Sequence, residues 1–251
     1  MNREEAARLR DEALIRKSVR KYSADPLSGE AASRAVGYAI GAEGPVAEAR
    51  AAFAALPKDR VKGFGATAPH YIAMYAPDDP SAEISAAFRL EIASLKLSAE
   101  GVGSLWMGIA RPDKGARESE GMRHVISLAF GAPSEEPHRR GAGEFKRKPL
   151  AEITDIKGMD ALLEPFRLAP SAMNGQPWRL AKNGDRLDLY VKRPSLAGRV
   201  FGEWLWVDAG IALSHLYISL IAEGIAASAF RAEGAPPYGD YRYAMSIAAA
   251  I

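Results

Sequence analysis

The succession of apolar and polar positions divides the chain into helices and strands before any chemistry is considered. Residues 3–15, rich in Glu, Ala, Leu and Arg, predict a first helix. Asp25-Pro26 marks a turn, and Ser28 offers an N-cap for a second helix. Gly44-Pro45 predicts the start of a third, with Pro45 in the first turn, where its missing N–H costs nothing. Residues 70–76 read as a strand with Ala-Pro on both sides. A long amphipathic helix is predicted over 80–100, stopped by Gly101. The polar, Pro- and Gly-rich stretch 131–145 reads as a loop.

The later part has the same texture. A helix over 159–168 is followed by two short strands, 178–182 and 186–192. Asn183-Gly184 between them predicts a type I′ hairpin. Residues 204–230 form the most apolar run, interrupted by Asp208, His215 and Glu223. Those charges argue for a buried central helix rather than a membrane span. Gly224 should end it, ahead of a strand over 225–231 and a weakly alternating terminal strand over 241–251.

Composition narrows the class. A chain of 251 residues can bury a full core. The net charge of +2 argues against nucleic acid or an acidic membrane as partner. With zero cysteines there are no disulfides, iron–sulfur clusters or thiolate zinc sites, which fits a reducing, cytoplasmic location. Residues 1–21 are dense in charge and lack the apolar core of a secretory signal. The histidines (His70, His124, His138 and His215) show no ligand spacing and read as structural, so replacing His215 should leave cofactor content unchanged. Gly101-x-Gly103 lacks the third glycine of a dinucleotide fingerprint and follows a helix, not a strand. Glu135-Glu136 lies in a polar loop and does not read as an acid/base pair.

Two distant segments carry the chemistry. In Arg16-Lys17-Ser18-Val19-Arg20, an extended backbone would put Arg16, Ser18 and Arg20 on one face. Guanidinium forks and a hydroxyl there could grip a phosphate; taken alone, the stretch reads more readily as a solvated basic segment after a helix. In Ala169-Pro170-Ser171-Ala172-Met173-Asn174-Gly175-Gln176-Pro177-Trp178, small residues and amides suit a loop pressed against a flat polar ring. The bland alternative is a helix-terminating turn, with Trp178 in the core.

These segments resemble the Arg-x-Ser-x-Arg and Ala-Pro-Ser-x-x-Asn-x-Gln-Pro-Trp signatures of the FMN-dependent nitroreductase family. Gly101-Val102-Gly103-Ser104-Leu105-Trp106-Met107-Gly108 is similar to a third family segment. Residues 126–133 with the basic run 146–152 are similar to a fourth. The order is unusual: the Ala-Pro-Ser motif follows the basic run that ordinarily closes the domain, after which a helix and hairpin restart the pattern. The resemblance therefore implies the tandem, single-chain group of the family, with an α+β fold. Two fused halves (1–155 and 156–251), each a mixed sheet, would meet at long central helices as an internal pseudo-dimer. One intact FMN site and a monomer would follow.

By the same resemblance, Arg16 and Ser18 would hold the FMN phosphate and Arg20 would sit near the pyrimidine edge. Pro170, Ser171, Ala172, Asn174 and Gln176 would line the isoalloxazine. Met107 and Gly108 would offer backbone near flavin N5, though an ordinary strand explains them as well. Lys148, with Lys146, matches the late phosphate-side basics, which could equally be a solvated face. Phe201, Trp204 and Trp206 would line the substrate pocket, or belong to the core. The implied activity is NADH- or NADPH-driven reduction of nitroaromatic or quinone-type small molecules, with no side chain acting as acid or base. Alternatives are a flavin-binding protein without turnover, an oxidase or dehydrogenase for a dedicated metabolite, and a scaffold that has lost its cofactor.

Overall fold

The computed structural model describes residues 1–63, 65, 68–192 and 204–250. Phe201 and the end of the terminal strand at Ile251 lie outside the described residues. The chain opens with α1 (Arg3–Ala13) and α2 (Gly29–Gly41), the latter capped as expected by the Ser28 hydroxyl, which accepts from the Ala31 N–H. A five-stranded antiparallel sheet follows. Its spine is β1 (Ala52–Pro57), β3 (His70–Ala76), β7 (Met122–Gly131) and β4 (Gly103–Met107), in that spatial order, with β6 (Glu118–Ser119) appended to β7. The two-residue strands β2 (Val61–Lys62) and β5 (Arg111–Pro112) pair beside it.

Between β3 and β4 runs α3 (Pro80–Ala99), started by the Asp79 carboxylate accepting from the Ala82 N–H. After the loop come α4 (Leu150–Ile153) and α5 (Asp160–Leu168). Strands β8 (Trp178–Asn183) and β9 (Arg186–Lys192), helix α6 (Leu205–Ala222), and strands β10 (Ala227–Phe230) and β11 (Tyr241–Ala249) complete the chain. Their sheet has the order β8-β9-β11-β10. The run helix, strand, strand, helix, strand, strand thus occurs twice, and both times the strands pair in the order first, second, fourth, third.

Helices α3 and α6 form the centre. They cross closely because Gly210 has no side chain: a Cβ there would lie 2.3 Å from the Ile84 carbonyl oxygen. The expected amphipathic pattern of α3 is overturned, since it is buried nearly all round. Elements pack on both its sides, and Ala and Ser supply much of its surface. α6 is long and apolar enough to span a membrane by composition, yet 83% of it is buried inside the protein, as befits a core helix.

Three further expectations fail in physically readable ways. The stretch after Gly44 is no helix; Ala52–Pro57 becomes edge strand β1, in register with β3, which is buried from Tyr71 to Ala76. Alanine favours helix locally, but the open side of a buried strand offers a ladder of hydrogen bonds that outweighs propensity. The hairpin pairs Asn183 with Arg186, so its turn residues are Gly184 and Asp185. Gly184 has φ 61° and Asp185 is not left-handed, which fits a type II′ turn rather than type I′. The ladders are antiparallel; among the described residues, parallel pairing is confined to the isolated bridges Ser18–Ser104 and Thr154–Leu180.

Candidate functional site

The segment from Arg16 to Ser23 is extended, as its alternation requires, and lies between β4 and the 132–139 loop. The Val19 N–H donates to the Ser104 carbonyl at 3.0 Å, and Ser134 N–H to the Lys21 carbonyl at 3.0 Å. Gly103 permits this approach, because a Cβ there would sit 2.7 Å from the Val19 side chain. Glu135 fastens the other edge, accepting from the Arg20 N–H (2.7 Å), the Lys21 N–H (3.1 Å) and Lys17 Nζ (3.0 Å). Those bonds, the Arg20 N–H first, hold its carboxyl down to about 2. Such a group stabilises the fold above the ordinary carboxylate range and loses that contribution as pH falls from about 4.5 through about 2. Glu135→Gln should therefore loosen this strand at neutral pH, seen as faster amide exchange at Arg20 and Lys21.

Arg16 is 2% exposed and its Nη2 donates to the Ser18 hydroxyl at 3.2 Å, so the two share one face. Arg20 is exposed and turns back to the Ser18 carbonyl. Burial lowers the Arg16 pKa; Glu91 and Glu12 work in its favour and Arg20 against it. Two more guanidiniums stand close enough to act on it. Arg139 donates to the Arg16 carbonyl at 2.5 Å, and both Arg139 and Arg147 contact the Phe145 ring, 4.1 and 5.6 Å from its centre. Burial, then the charges of Arg16, Arg139 and Arg167, push Arg147 down to about 10. Buried like charges at this density call for an anion, and a phosphate monoester fits the donor set. Sequence reasoning chose Lys148 within this basic run and missed Arg147. In the structure Lys148 Nζ caps the Gly175 and Gln176 carbonyls at 2.8 and 3.0 Å, while Arg147 bonds the Leu168 carbonyl and Asn174 and contacts the Phe145 ring.

The second motif is a loop under tension. Met173, Asn174 and Gln176 have φ of 51°, 56° and 43°, three of the four non-glycine residues with positive φ among those described. Such backbone is costly for Met and Gln and collects at binding sites. The surroundings over-determine it. Arg147 donates to the Asn174 side-chain oxygen, and the Asn174 amide donates to the Lys146 carbonyl. Gln176, 1% exposed, accepts from the Lys148 N–H at 2.7 Å and donates to the Arg167 carbonyl at 2.9 Å. Ser171 Oγ accepts from the Gln176 N–H at 2.9 Å.

The terminal carbonyls of α5 are all accounted for. Pro165 receives His215, Phe166 the Ala169 N–H, Arg167 the Gln176 amide and Leu168 the Arg147 Nε. Pro170 is buried, Ser171 half-buried and Met173 79% exposed. The Ala172 N–H donates to Asp208 Oδ1 at 2.9 Å, anchoring the loop to the first turn of α6. Asp208 is fully enclosed, and burial pushes its carboxyl up to about 7, opposed by the Ala172 N–H. The sequence marked it only as a break in an apolar run.

The two motifs, about 150 residues apart in sequence, are linked by a chain of contacts: Arg139 bonds the Arg16 carbonyl and shares the Phe145 ring with Arg147, which hydrogen-bonds Asn174. Met107 ends β4 and Gly108 follows it, three and four residues along from Ser104, which accepts from the Val19 N–H. Gly108 is pressed against Trp204, where a Cβ would meet the indole at 2.3 Å. Among the described residues Trp204 Nε1 is buried without an acceptor, a donor available to something bound. Trp206 lies under Arg242, 4.7 Å from its ring centre, and so belongs with the second sheet. Replacing Gly108 by Ala should displace Trp204, detectable as a red-shifted tryptophan emission.

The fold is α+β, with a buried basic cluster beside a strained amide-bearing loop, and comparison identifies the family. A family model described as "Putative TM nitroreductase" matches residues 12–220. The chain belongs to this nitroreductase family. A crystal structure of a "putative nitroreductase" from Thermotoga maritima is similar over 99% of this chain and 94% of its own, with a TM-score of 0.63 and 20% identity. A nitroreductase family protein from Clostridium difficile aligns over 61% of this chain and 96% of its own, with a TM-score of 0.47 and 17% identity. A Desulfovibrio desulfuricans "putative nitroreductase in complex with fmn" aligns over 55% and 89%, with a TM-score of 0.43 and 17% identity. No curated protein matches.

Proposed function

We propose that the chain binds one FMN between the Arg16–Ser18 clamp and the Ala-Pro-Ser loop, and uses it to reduce small molecules with NADH or NADPH. Nitroaromatic and quinone-type compounds are the proposed acceptors. The observation that carries this reading is the Phe145 ring, contacted both by Arg139, which bonds the Arg16 carbonyl, and by Arg147, which holds Asn174 of the loop. Family membership and the "fmn" complex of a relative support the cofactor assignment.

The protein's own contribution is placement and charge. Arg16, Ser18 and Arg147 would take the phosphate, with Arg139 behind them. Pro170, Ser171, Ala172, Asn174 and Gln176 would shape the ring's surroundings, and Met107 and Gly108 would offer backbone at its other wall. Lys148 serves this site through the loop carbonyls it caps. Bound there, FMN would supply the two-electron redox chemistry.

We further infer an internal pseudo-dimer of residues 1–155 and 156–251, from the repeated element order and matching strand order. The loop after α2 corresponds to the Ala-Pro-Ser loop after α5, and it is shut. A Cβ on Gly44 would lie 2.1 Å from Ser85 Oγ, and Arg89 caps the Ala39 and Ile40 carbonyls. One cofactor per monomeric chain is the consequence.

The test is the visible spectrum and FMN content of the purified protein, followed by NADH and NADPH oxidation with menadione or nitrofurazone. One equivalent of flavin and acceptor-dependent turnover is expected. Bound flavin without turnover would leave a binding protein, and protein that refuses FMN on reconstitution would end the proposal.

A further inference from the structure

At the crossing of α3 and α6 lies a polar network that the apolar surroundings do not explain. Glu91 on α3 and His215 on α6 are both 0% exposed, and Glu91 Oε1 meets His215 Nε2 at 2.9 Å. The other carboxylate oxygen accepts from Trp106 Nε1 on β4 at 2.7 Å. The other ring nitrogen, Nδ1, meets the Pro165 carbonyl at 2.9 Å. A carbonyl only accepts, so Nδ1 carries a proton. The Nε2–Oε1 contact then needs one more, held by either the imidazole or the carboxyl. The pair therefore holds a single shared proton and is neutral as a unit, which makes its burial tolerable.

What the network joins is the point. Trp106 immediately precedes Met107 and Gly108, one wall of the site. Pro165 lies in the last turn of α5, whose end launches the Ala-Pro-Ser loop, the other wall. Four bonded groups on β4, α3, α6 and α5 thus span from one motif to the other through the helix crossing.

We propose that Glu91 and His215 are positioning residues, a buried brace that fixes the separation of the two walls of the FMN site. This rests on the cofactor assignment above. It reverses the expectation that His215 has no bearing on cofactor content, an expectation drawn when no partner for it was visible.

His215→Phe keeps the volume and removes both bonds; FMN affinity should fall by about tenfold. Glu91→Gln can still accept from Trp106 and donate to a neutral His215, so its affinity should stay within about threefold of the parent. Leu189→Ala, a buried change in β9 away from the brace, should lower the melting temperature and leave FMN affinity within about twofold. Parent-like affinity in His215→Phe, or an equal loss in Leu189→Ala, would overturn the brace. Should His215→Phe not fold, nitrogen-15 resonances of His215 in the native protein decide instead: a bare Nδ1 refutes the network. If the parent itself refuses FMN, the cofactor assignment fails separately. The brace is then judged in apoprotein by exchange of the Trp106 indole proton, slow in the parent and fast in His215→Phe; equal rates refute it.

Discussion

Arg16→Ala is expected to abolish retention of FMN through purification and to raise its dissociation constant by about a hundredfold or more. The guanidinium is buried beside the Ser18 hydroxyl, where a charge-assisted bond is worth about 1.5–3 kcal/mol and a bidentate one more. Arg16→Lys keeps the charge but not the planar fork, so about tenfold of that loss should remain. The apoprotein supplies a control that separates binding from folding. In it, Arg16 stands among Arg139, Arg147 and Arg20, and removing one of four cations relieves repulsion that offsets part of the lost packing. Saturating FMN at about a hundred times its dissociation constant should stabilise the parent by about 2.7 kcal/mol, or roughly 5–10 °C in melting temperature. That increment should vanish in Arg16→Ala. An unchanged FMN-dependent shift would place the phosphate elsewhere.

The shared face of Arg16 and Ser18 was legible in the sequence because it depends only on local alternation in an extended segment. Residues 169–178 were legible for the same reason, as a contiguous motif. Arg147 was not: within Lys146-Arg147-Lys148, every residue is basic, and which one reaches Asn174 is settled by the path of a loop packed on Phe145. Likewise nothing in the composition of residues 172–176 announces three left-handed backbones. The Arg147 side chain, the Lys148 N–H and the Arg167 carbonyl hold that conformation, the first two from 27 and 28 residues away. The edge strand at Ala52–Pro57 shows the same limit, since its partner β3 lies beyond two intervening segments and local alanine content argues for helix. The central helices were found by length and apolarity, but the Glu91–His215 pairing across them is a property of their crossing.

Asp208→Asn should stabilise the protein at pH 8 and change little at pH 4. In the folded chain burial holds this carboxyl near pH 7, whereas an unfolded Asp titrates near its ordinary value of 3.8. Between those two values the native state keeps a proton that the unfolded chain has lost. Stability therefore falls as pH rises through that window and levels off above about 7. With about 1.4 kcal/mol for each unit of separation, the penalty reaches the order of 4 kcal/mol at alkaline pH. Asparagine has no proton to lose, and its Oδ1 can still accept from the Ala172 N–H, so the loop keeps its anchor while the slope disappears. Thermal melts of parent and variant at pH 4, 6 and 8 should diverge steadily, by about 10 °C at the last point. Asp208→Ala distinguishes charge from anchorage: it also escapes the penalty, but leaves the Ala172 N–H unpaired and should weaken FMN binding where Asp208→Asn does not. Equal separation of the parent and Asp208→Asn melting curves at all three pH values would mean that Asp208 ionises freely, and that the first turn of α6 is wetter than its enclosure in the fold implies.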